Sequence, residues 1–122
     1  MASRKEWSSR PGRSSKWITP VRRLALYIRD GFSCSYCGRD LRDAEPREVT
    51  LDHLLPRCKG GTHADRNLVT ACGRCNYGRK ETRWTAYATP GARDRIRRAV
   101  RRVTNRALAR AVLRGDVPRA EI

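Results

Sequence analysis

Hydrophobic positions occur in short groups along the chain, and their spacing differs from group to group. Leu24, Ala25 and Ile28 recur at helical spacing after a Thr-Pro pair at 19–20 and before an Asp-Gly pair at 30–31. Thr is a good N-cap, Pro suits the first helical position, and Gly favours termination. We therefore predict a helix between these two signals.

Two later groups are short and rich in β-branched residues. Val49–Leu51 and Leu68–Thr70 are separated by a polar stretch that contains Gly60-Gly61. Runs of this kind on either side of a glycine-marked loop predict two short strands, arranged as a hairpin-like ribbon.

Helical spacing returns in the last third of the chain. We predict one helix from Gly73 to about Ala86 and, after Thr89-Pro90-Gly91, a long helix from about Ala92 to Arg114. The long helix has an apolar stripe that could dock on the domain or on a second copy. The stripe consists of Ile96, Val100, Val103, Ala107, Leu108, Ala111 and Val112. The predicted fold class is small α+β, in three segments: 1–19, 20–88 and 89–122.

Length and composition limit how stable such a chain can be. Its 122 residues suffice for one domain, and they include one Phe, one Met, three Trp and four Tyr. A folded part of roughly 70–80 residues rarely has enough apolar core to be stable alone and often adds a metal or disulfides. A bound metal would supply the missing stability.

Charge narrows the class of partner. Twenty-eight Lys and Arg, of which 24 are Arg, oppose twelve acids, and the formal net charge is +16. Because guanidinium groups grip phosphate in two places, nucleic acid is the first candidate and an anionic membrane surface the weaker one. The basic, Ser-rich segment 1–19 is either a disordered tail or an arm that follows DNA phosphates.

The N-terminal residues lack the apolar stretch of a secretory signal, and no segment is long enough to span a membrane. We therefore expect a cytoplasmic protein without membrane attachment. In a reducing compartment, CxxC pairs indicate metal or redox chemistry rather than structural disulfides.

Two CxxC pairs, Cys34–Cys37 and Cys72–Cys75, are the strongest signal in the chain. Four thiolates complete a closed tetrahedral zinc site, which is structural because it leaves no open position. The redox alternative expects a single CxxC beside a βαβ pattern, which this sequence lacks. Cys58 has no partner cysteine at metal-ligand spacing, and we interpret it as incidental.

Between the cysteine pairs, Asp52-His53 follows an apolar run, and Asn76 follows the last cysteine directly. Imidazole is a suitable general base near neutral pH, and a carboxylate can bind a hard cation such as Mg²⁺. Adjacent strand residues point to opposite faces, so one shared site requires local distortion or a wide cleft.

The order and spacing of these residues resemble the zinc-containing HNH endonucleases over roughly residues 20–85. The matching positions are Cys34-x-x-Cys37, Asp52-His53, Pro56, Gly60-Gly61, Asn67-Leu68, Cys72-x-x-Cys75-Asn76 and Lys80. The resemblance implies a ββα-metal (His-Me finger) core, stabilised by a zinc site of four cysteines, with flanking helices. It also implies a bacterial or phage setting.

The resemblance also assigns roles. His53 would be the general base, Asp52 and Asn76 would bind one Mg²⁺ or Mn²⁺ ion, and Asn67 would hold the loop and orient the histidine. Asn76 stands where many members have a second histidine, so the motif is His-Asn-Asn.

Basic residues near these motifs are candidates for phosphate contacts, although each could equally be part of a solvated face. They are Arg57, Lys59, Arg74, Arg79, Lys80, Arg97 and Arg101. His63 is interpreted as a loop or phosphate-contact residue, and Trp17 and Trp84 as packing against the core.

The leading hypothesis is a DNA endonuclease or nickase acting on double-stranded DNA. The alternative is a non-catalytic zinc-dependent DNA-binding module, such as a regulator or phage packaging accessory, and an RNA nuclease is a third, weaker one. A homodimer or a phage packaging protein is a possible partner.

Overall fold

The computed structural model describes residues 17–122. Its helices and strands, in chain order, are α1 (Pro20–Arg29), β1 (Val49–His53), β2 (Leu68–Cys72), α2 (Gly73–Arg79), α3 (Trp84–Tyr87), α4 (Pro90–Ala99) and α5 (Arg106–Leu113). Single 3-10 turns occur at 46–48, 57–59, 65–67 and 119–121. The predicted small α+β class is confirmed.

The sheet consists of β1 and β2, paired antiparallel from Val49 opposite Cys72 to His53 opposite Leu68. All five residues of β2 are buried, and in β1 only Thr50 and His53 are half-buried. Both strands are longer than their sequence runs, because pairing extends β1 to His53 and β2 to Cys72. The register therefore brings the histidine to one end of the ribbon and a cysteine to the other.

Helix α1 forms where the sequence predicts it. The Thr19 side chain accepts a hydrogen bond from the backbone N–H of Arg22, and Pro20 occupies the first helical position. The buried face is formed by Leu24, Ala25, Leu26, Tyr27 and Arg29.

A buried ion pair joins α1 to β2. The Arg29 guanidinium contacts the Asp30 carboxylate at 2.8 Å and donates to the carbonyl of Leu68 at 2.6 Å. Asp30 in turn accepts from the backbone N–H of Thr70 at 2.9 Å. Both charges are thus paired and hydrogen-bonded, which is the condition under which buried charges are tolerated.

The helix predicted from Gly73 to Ala86 is shorter than expected. It ends at Arg79, Lys80 adopts a φ of 49°, and α3 follows as a separate turn. Between Asn76 and Trp84 the only large apolar side chain is Tyr77, which is 79% exposed. A longer helix would have had no apolar stripe to bury, and burial supplies most helical stability in proteins.

The prediction of one long C-terminal helix is also wrong, because this segment forms two helices, α4 and α5. Val103, assigned to the apolar stripe, is 93% exposed in the connecting segment. The Asn105 side chain accepts from the N–H of Leu108, and Thr104 donates to Asp65 at 3.3 Å. This cap and anchor start α5 in a new direction, so that it packs on α1.

Both C-terminal helices dock on the domain rather than leaving an unpartnered stripe. Ile96 of α4 and Ala109 of α5 are fully buried. The Arg95 guanidinium donates to the carbonyls of Ser35 at 2.9 Å and Tyr36 at 3.3 Å, which ties α4 to the first CxxC turn.

Residues 1–16 of the predicted basic arm lie outside the described part of the chain. Ile18 is buried, and Trp17 packs against the core, as does Trp84. Within residues 17–122, no helix combines the length and apolar character that crossing a membrane would require. The division at residues 19 and 88 stays a prediction.

Candidate active site

The four paired cysteines converge from three parts of the fold. Cys34 and Cys37 lie in the turn after α1, Cys72 ends β2, and Cys75 lies in the first turn of α2. Their sulfur atoms all lie within 4.8 Å of one another. Tetrahedral Zn–S bonds of about 2.3 Å place sulfurs about 3.8 Å apart, so the cluster can hold a metal ion such as zinc.

Backbone amides support both halves of the cluster. The N–H groups of Cys37 and Cys75 point to the sulfurs of Cys34 and Cys72, at 3.5 and 3.4 Å. Such contacts stabilise thiolates, the form in which cysteine binds metal. Cys58 is exposed and lies outside the cluster, consistent with its incidental interpretation.

Asp52 is buried within β1. Its Oδ2 accepts a 2.5 Å hydrogen bond from the Tyr36 hydroxyl and lies 3.6 Å from Nε of Arg79. Burial raises the pKa of Asp52, against the opposing effects of Tyr36 and Arg79. Burial, followed by the Asp52 charge, raises the pKa of Tyr36. Both contacts use Oδ2, which holds the carboxylate in one orientation.

Arg79 corrects one sequence interpretation. The sequence makes it a candidate for phosphate contact, but it is only 3% exposed. Its guanidinium donates to the carbonyl of Leu54 at 2.6 Å and lies beside Asp52. The side chain therefore faces the interior, where it joins α2 to the end of β1, and it is not available to DNA.

Asn76 reaches β1 from α2. Its amide nitrogen donates to the Thr50 hydroxyl at 2.9 Å and to the Leu51 carbonyl at 3.4 Å. Because side chains alternate along a strand, Thr50 and Asp52 share a face. Asn76 therefore contacts the same face of β1 as Asp52. Because its amide nitrogen points to the strand, its amide oxygen is available to another partner.

His53 belongs to the other set of alternating positions, at the last residue of β1, and the chain bends at Leu54 and Leu55. It is half-buried. Its Nε2 lies 2.9 Å from Nδ1 of His63, whose Nε2 lies 2.7 Å from the Arg57 guanidinium. The Trp17 ring centroid lies 5.0 Å from His53 and 4.6 Å from His63.

The contacts among His53, His63 and Arg57 define which ring nitrogens accept hydrogen bonds. A guanidinium has only donors, so Nε2 of His63 accepts from Arg57. A neutral His63 then carries its proton on Nδ1 and donates to His53, whose Nε2 must be unprotonated. Burial, followed by the charges of His63 and Arg57, lowers the pKa of His53. The geometry and the charges both favour a neutral imidazole with an accepting Nε2.

Asn67 holds the loop between the strands. Its Oδ1 accepts from the N–H of Leu55 at 2.9 Å, and its Nδ2 donates to the carbonyls of Leu55 at 3.0 Å and Thr62 at 2.8 Å. Gly61 allows the same closure, because a Cβ there would lie 1.7 Å from the Leu55 carbonyl oxygen. The loop that follows His53 is therefore closed on itself.

Six other basic candidates are exposed: Arg57, Lys59, Arg74, Lys80, Arg97 and Arg101. Arg57 is engaged with His63, and the Arg97 guanidinium lies 5.6 Å from the centre of the Trp84 ring. Their exposure is compatible with phosphate contacts.

Sequence reasoning missed two members of the site. Tyr36 is one of the two residues between Cys34 and Cys37, and only convergence of the cysteines brings its hydroxyl to Asp52. The contact between His63 and His53 depends on closure of the loop that joins the strands. The available signal was the pair of glycines before His63, which indicates a tight return of the loop.

A two-stranded ribbon, a following helix and a cluster of four cysteines that can hold a metal ion together form a small ββα domain. Residues 34–82 match the family model described as HNH endonuclease. Over these residues the sequence resemblance to the HNH endonucleases is confirmed.

One curated relative is the CRISPR-associated endonuclease Cas9 of Corynebacterium diphtheriae, 30% identical over 80 residues. The aligned part is 65% of the present chain but 7% of that relative, so the chain corresponds to a small part of it. No solved structure gives a significant match.

Proposed function

We propose that this protein is a metal-dependent DNA endonuclease or nickase. The proposal rests chiefly on one observation, the half-buried His53 whose accepting Nε2 lies at the end of the strand that carries Asp52. The match of residues 34–82 to the HNH endonuclease family supports it. The related Cas9 is named as an endonuclease, which agrees with the same class of reaction.

His53 would act as the general base. Its unprotonated Nε2 would take the proton of an attacking water after the phosphate backbone displaces His63 from that nitrogen. Its lowered pKa keeps the imidazole neutral near pH 7, as a base requires. Asn67 would keep the loop closed and so hold His53 in place. The expected products are a 5′ phosphate and a 3′ hydroxyl.

Asp52 and Asn76 fit a hard divalent cation such as Mg²⁺ or Mn²⁺. A carboxylate and an amide oxygen are suitable donors, and Asp52 lies on the face of β1 that Asn76 of α2 contacts through Thr50. Tyr36 and Arg79 hold Oδ2 of Asp52, so Oδ1 would be the ligand. A bound ion would stabilise the negative charge that grows on the phosphate and on the leaving 3′ oxygen.

The net charge indicates the class of substrate, and the cysteine cluster indicates the cellular compartment. The net charge of +16 favours a nucleic acid, and we propose double-stranded DNA. A thiolate metal site suits the reducing cytoplasm of a bacterial or phage-infected cell. Cutting both strands would require two active sites, supplied by a second copy or by a partner such as a phage packaging protein.

The second candidate is a DNA-binding module without catalysis. Its support is the basic surface and the four-cysteine cluster alone. It predicts salt-sensitive binding with no nicking under any divalent cation. The neutral, accepting imidazole of His53 favours the enzyme, because binding alone has no need of it.

A supercoiled-plasmid assay with Mg²⁺ or Mn²⁺ tests the proposal. Wild type should yield relaxed or linear DNA, whereas His53→Ala of equal zinc content should bind DNA and leave the plasmid intact. Relaxed product alone indicates nicking, and linear product indicates cleavage of both strands. Equal cutting by purified His53→Ala would exclude the proposed base, and a parallel RNA substrate tests the third hypothesis.

A further inference from the structure

An open, basic cleft lies next to the candidate active site. It is formed by α1, the loop before β2, the segment after α4 and the start of α5, and it has a volume of about 880 Å³. Its lining residues are Arg22, His63, Ala64, Asp65, Arg66, Val100, Arg101 and Arg106. Four arginines therefore face one concave surface that holds a single carboxylate.

Asp65 organises the cleft without neutralising it. The carboxylate contacts Arg22 at 2.6 Å, Arg106 at 3.6 Å and the Thr104 hydroxyl at 3.3 Å. These contacts join α1 to the start of α5, so two guanidinium groups are held in place before any ligand arrives. Arg66 and Arg101 are exposed at the same surface. One acid against four cations leaves an excess of positive charge.

The cleft is connected to the proposed catalytic residues through His63. The Arg22 guanidinium donates to the His63 carbonyl at 2.5 Å, and the His63 ring contacts Nε2 of His53. A polyanionic strand bound in the cleft would therefore pass beside the imidazole that occupies the base nitrogen. Displacement of that imidazole would expose His53 only when the strand is present.

We propose that this cleft binds the phosphate backbone of double-stranded DNA next to the cut position, an assignment that rests on the proposed nuclease function. Arg66 and Arg101 bind backbone phosphates, and Arg22 and Arg106 shape the surface through Asp65. Guanidinium groups suit this ligand because each can pair with two phosphate oxygens, and the ordered Arg22 and Arg106 keep the surface between them in one shape. The excess of positive charge makes binding fall steeply with salt.

The test compares two double variants with the same change of charge. Arg66→Gln with Arg101→Gln removes the two exposed cleft cations. Arg98→Gln with Arg110→Gln removes two exposed arginines that do not line it. Binding of a labelled DNA duplex to the zinc-loaded full chain is measured by fluorescence anisotropy over a KCl series, without added divalent cation.

The logarithm of the binding constant falls linearly with the logarithm of the KCl concentration. The double variant in the cleft should reduce the steepness of this fall by about 1.8, or about 0.9 for each lost phosphate contact, and the control double variant should change it by much less. In the plasmid assay the cleft pair should raise KM with little change in kcat. Equal slopes for the two pairs would overturn the proposal. An RNA duplex of the same sequence that binds as tightly as the DNA would overturn its assignment to DNA.

The binding arm does not depend on catalysis, so the two proposals can fail separately. If wild type never cuts DNA but the double variant in the cleft still has a weaker salt dependence of binding, the proposed nuclease function is wrong and the proposed DNA-binding cleft is supported. If wild type cuts and the two pairs bind alike, the cleft alone fails.

Discussion

At the scale of single residues, Arg79 shows how a surface-like sequence position can become an interior support. It lies in a basic stretch, yet its guanidinium is buried and faces the Leu54 carbonyl and the Asp52 carboxylate. Hydrogen bonds of this kind depend on the approach of α2 to β1. The position looks like any other basic residue until that packing is known.

Replacing Arg79 by Met should lower the free energy of unfolding by about 3 kcal/mol, because it leaves the buried Leu54 carbonyl without its donor and the buried Asp52 carboxylate without its neighbouring positive charge. Denaturant unfolding of the zinc-loaded protein measures this. Arg74→Met is the matched control, since Arg74 is exposed on the same helix and should change stability by less than about 0.5 kcal/mol. Equal losses would contradict the interior role.

Substitution by Ala should change the free energy of unfolding in opposite directions at two glycines. Gly61→Ala places a methyl group 1.7 Å from the Leu55 carbonyl oxygen, whereas at Gly91 nothing lies within 4 Å. We expect a loss of about 1–3 kcal/mol at Gly61 from steric strain and a gain of about 0.5–1 kcal/mol in helix α4 at Gly91. Thermal unfolding of both variants measures the difference, and a stable Gly61→Ala would argue against the closed loop.

At the scale of elements, the segments with local signals were predicted correctly. Helix α1 has its own cap and terminator, and each strand begins with the β-branched run that predicted it, so neighbours in sequence decide the outcome. The C-terminal break could not be predicted in this way. Its cause is the anchoring of Thr104 to Asp65, 39 positions earlier, and the docking of α5 on α1.

Asn105→Ala distinguishes the two arrangements of this segment. As the N-cap of α5, Asn105 accepts from the N–H of Leu108, and its loss should lower stability by about 1 kcal/mol. In one continuous helix the same change would raise stability, because Ala is the better helix former. Chemical denaturation gives the sign directly.

At the scale of the whole molecule, the ribbon and its candidate site depend on two supports. The cysteine cluster joins the turn after α1 to β2 and α2, and the C-terminal helices close over the same core through Arg95 and α5. The cluster was predictable because CxxC spacing is a local pattern. The partners of His53 and Asp52 were not, because they depend on how the loop and the first CxxC turn fold back.

Zinc removal should therefore unfold more than the cluster itself. Structural zinc can supply on the order of 10 kcal/mol in small domains, and a strong chelator should melt residues 20–85. Helix α4 should loosen as well, since Arg95 binds carbonyls of the first CxxC turn. Far-ultraviolet circular dichroism would show the loss of helix, and an unchanged spectrum after verified zinc removal would contradict it.

The paired cysteines also make the metal-free chain sensitive to oxidation by air, because the two thiols of each CxxC stay three positions apart when the fold is lost. Even in the folded chain the sulfurs of Cys37 and Cys72 lie 3.9 Å apart, whereas a disulfide bond is about 2 Å long. Once the ion is gone, dissolved oxygen can oxidise neighbouring thiols to a bond that zinc cannot reverse. Zinc removal is thus reversible only while a reductant is present. Protein that has lost its zinc and has then been exposed to oxygen will not refold when zinc alone is added.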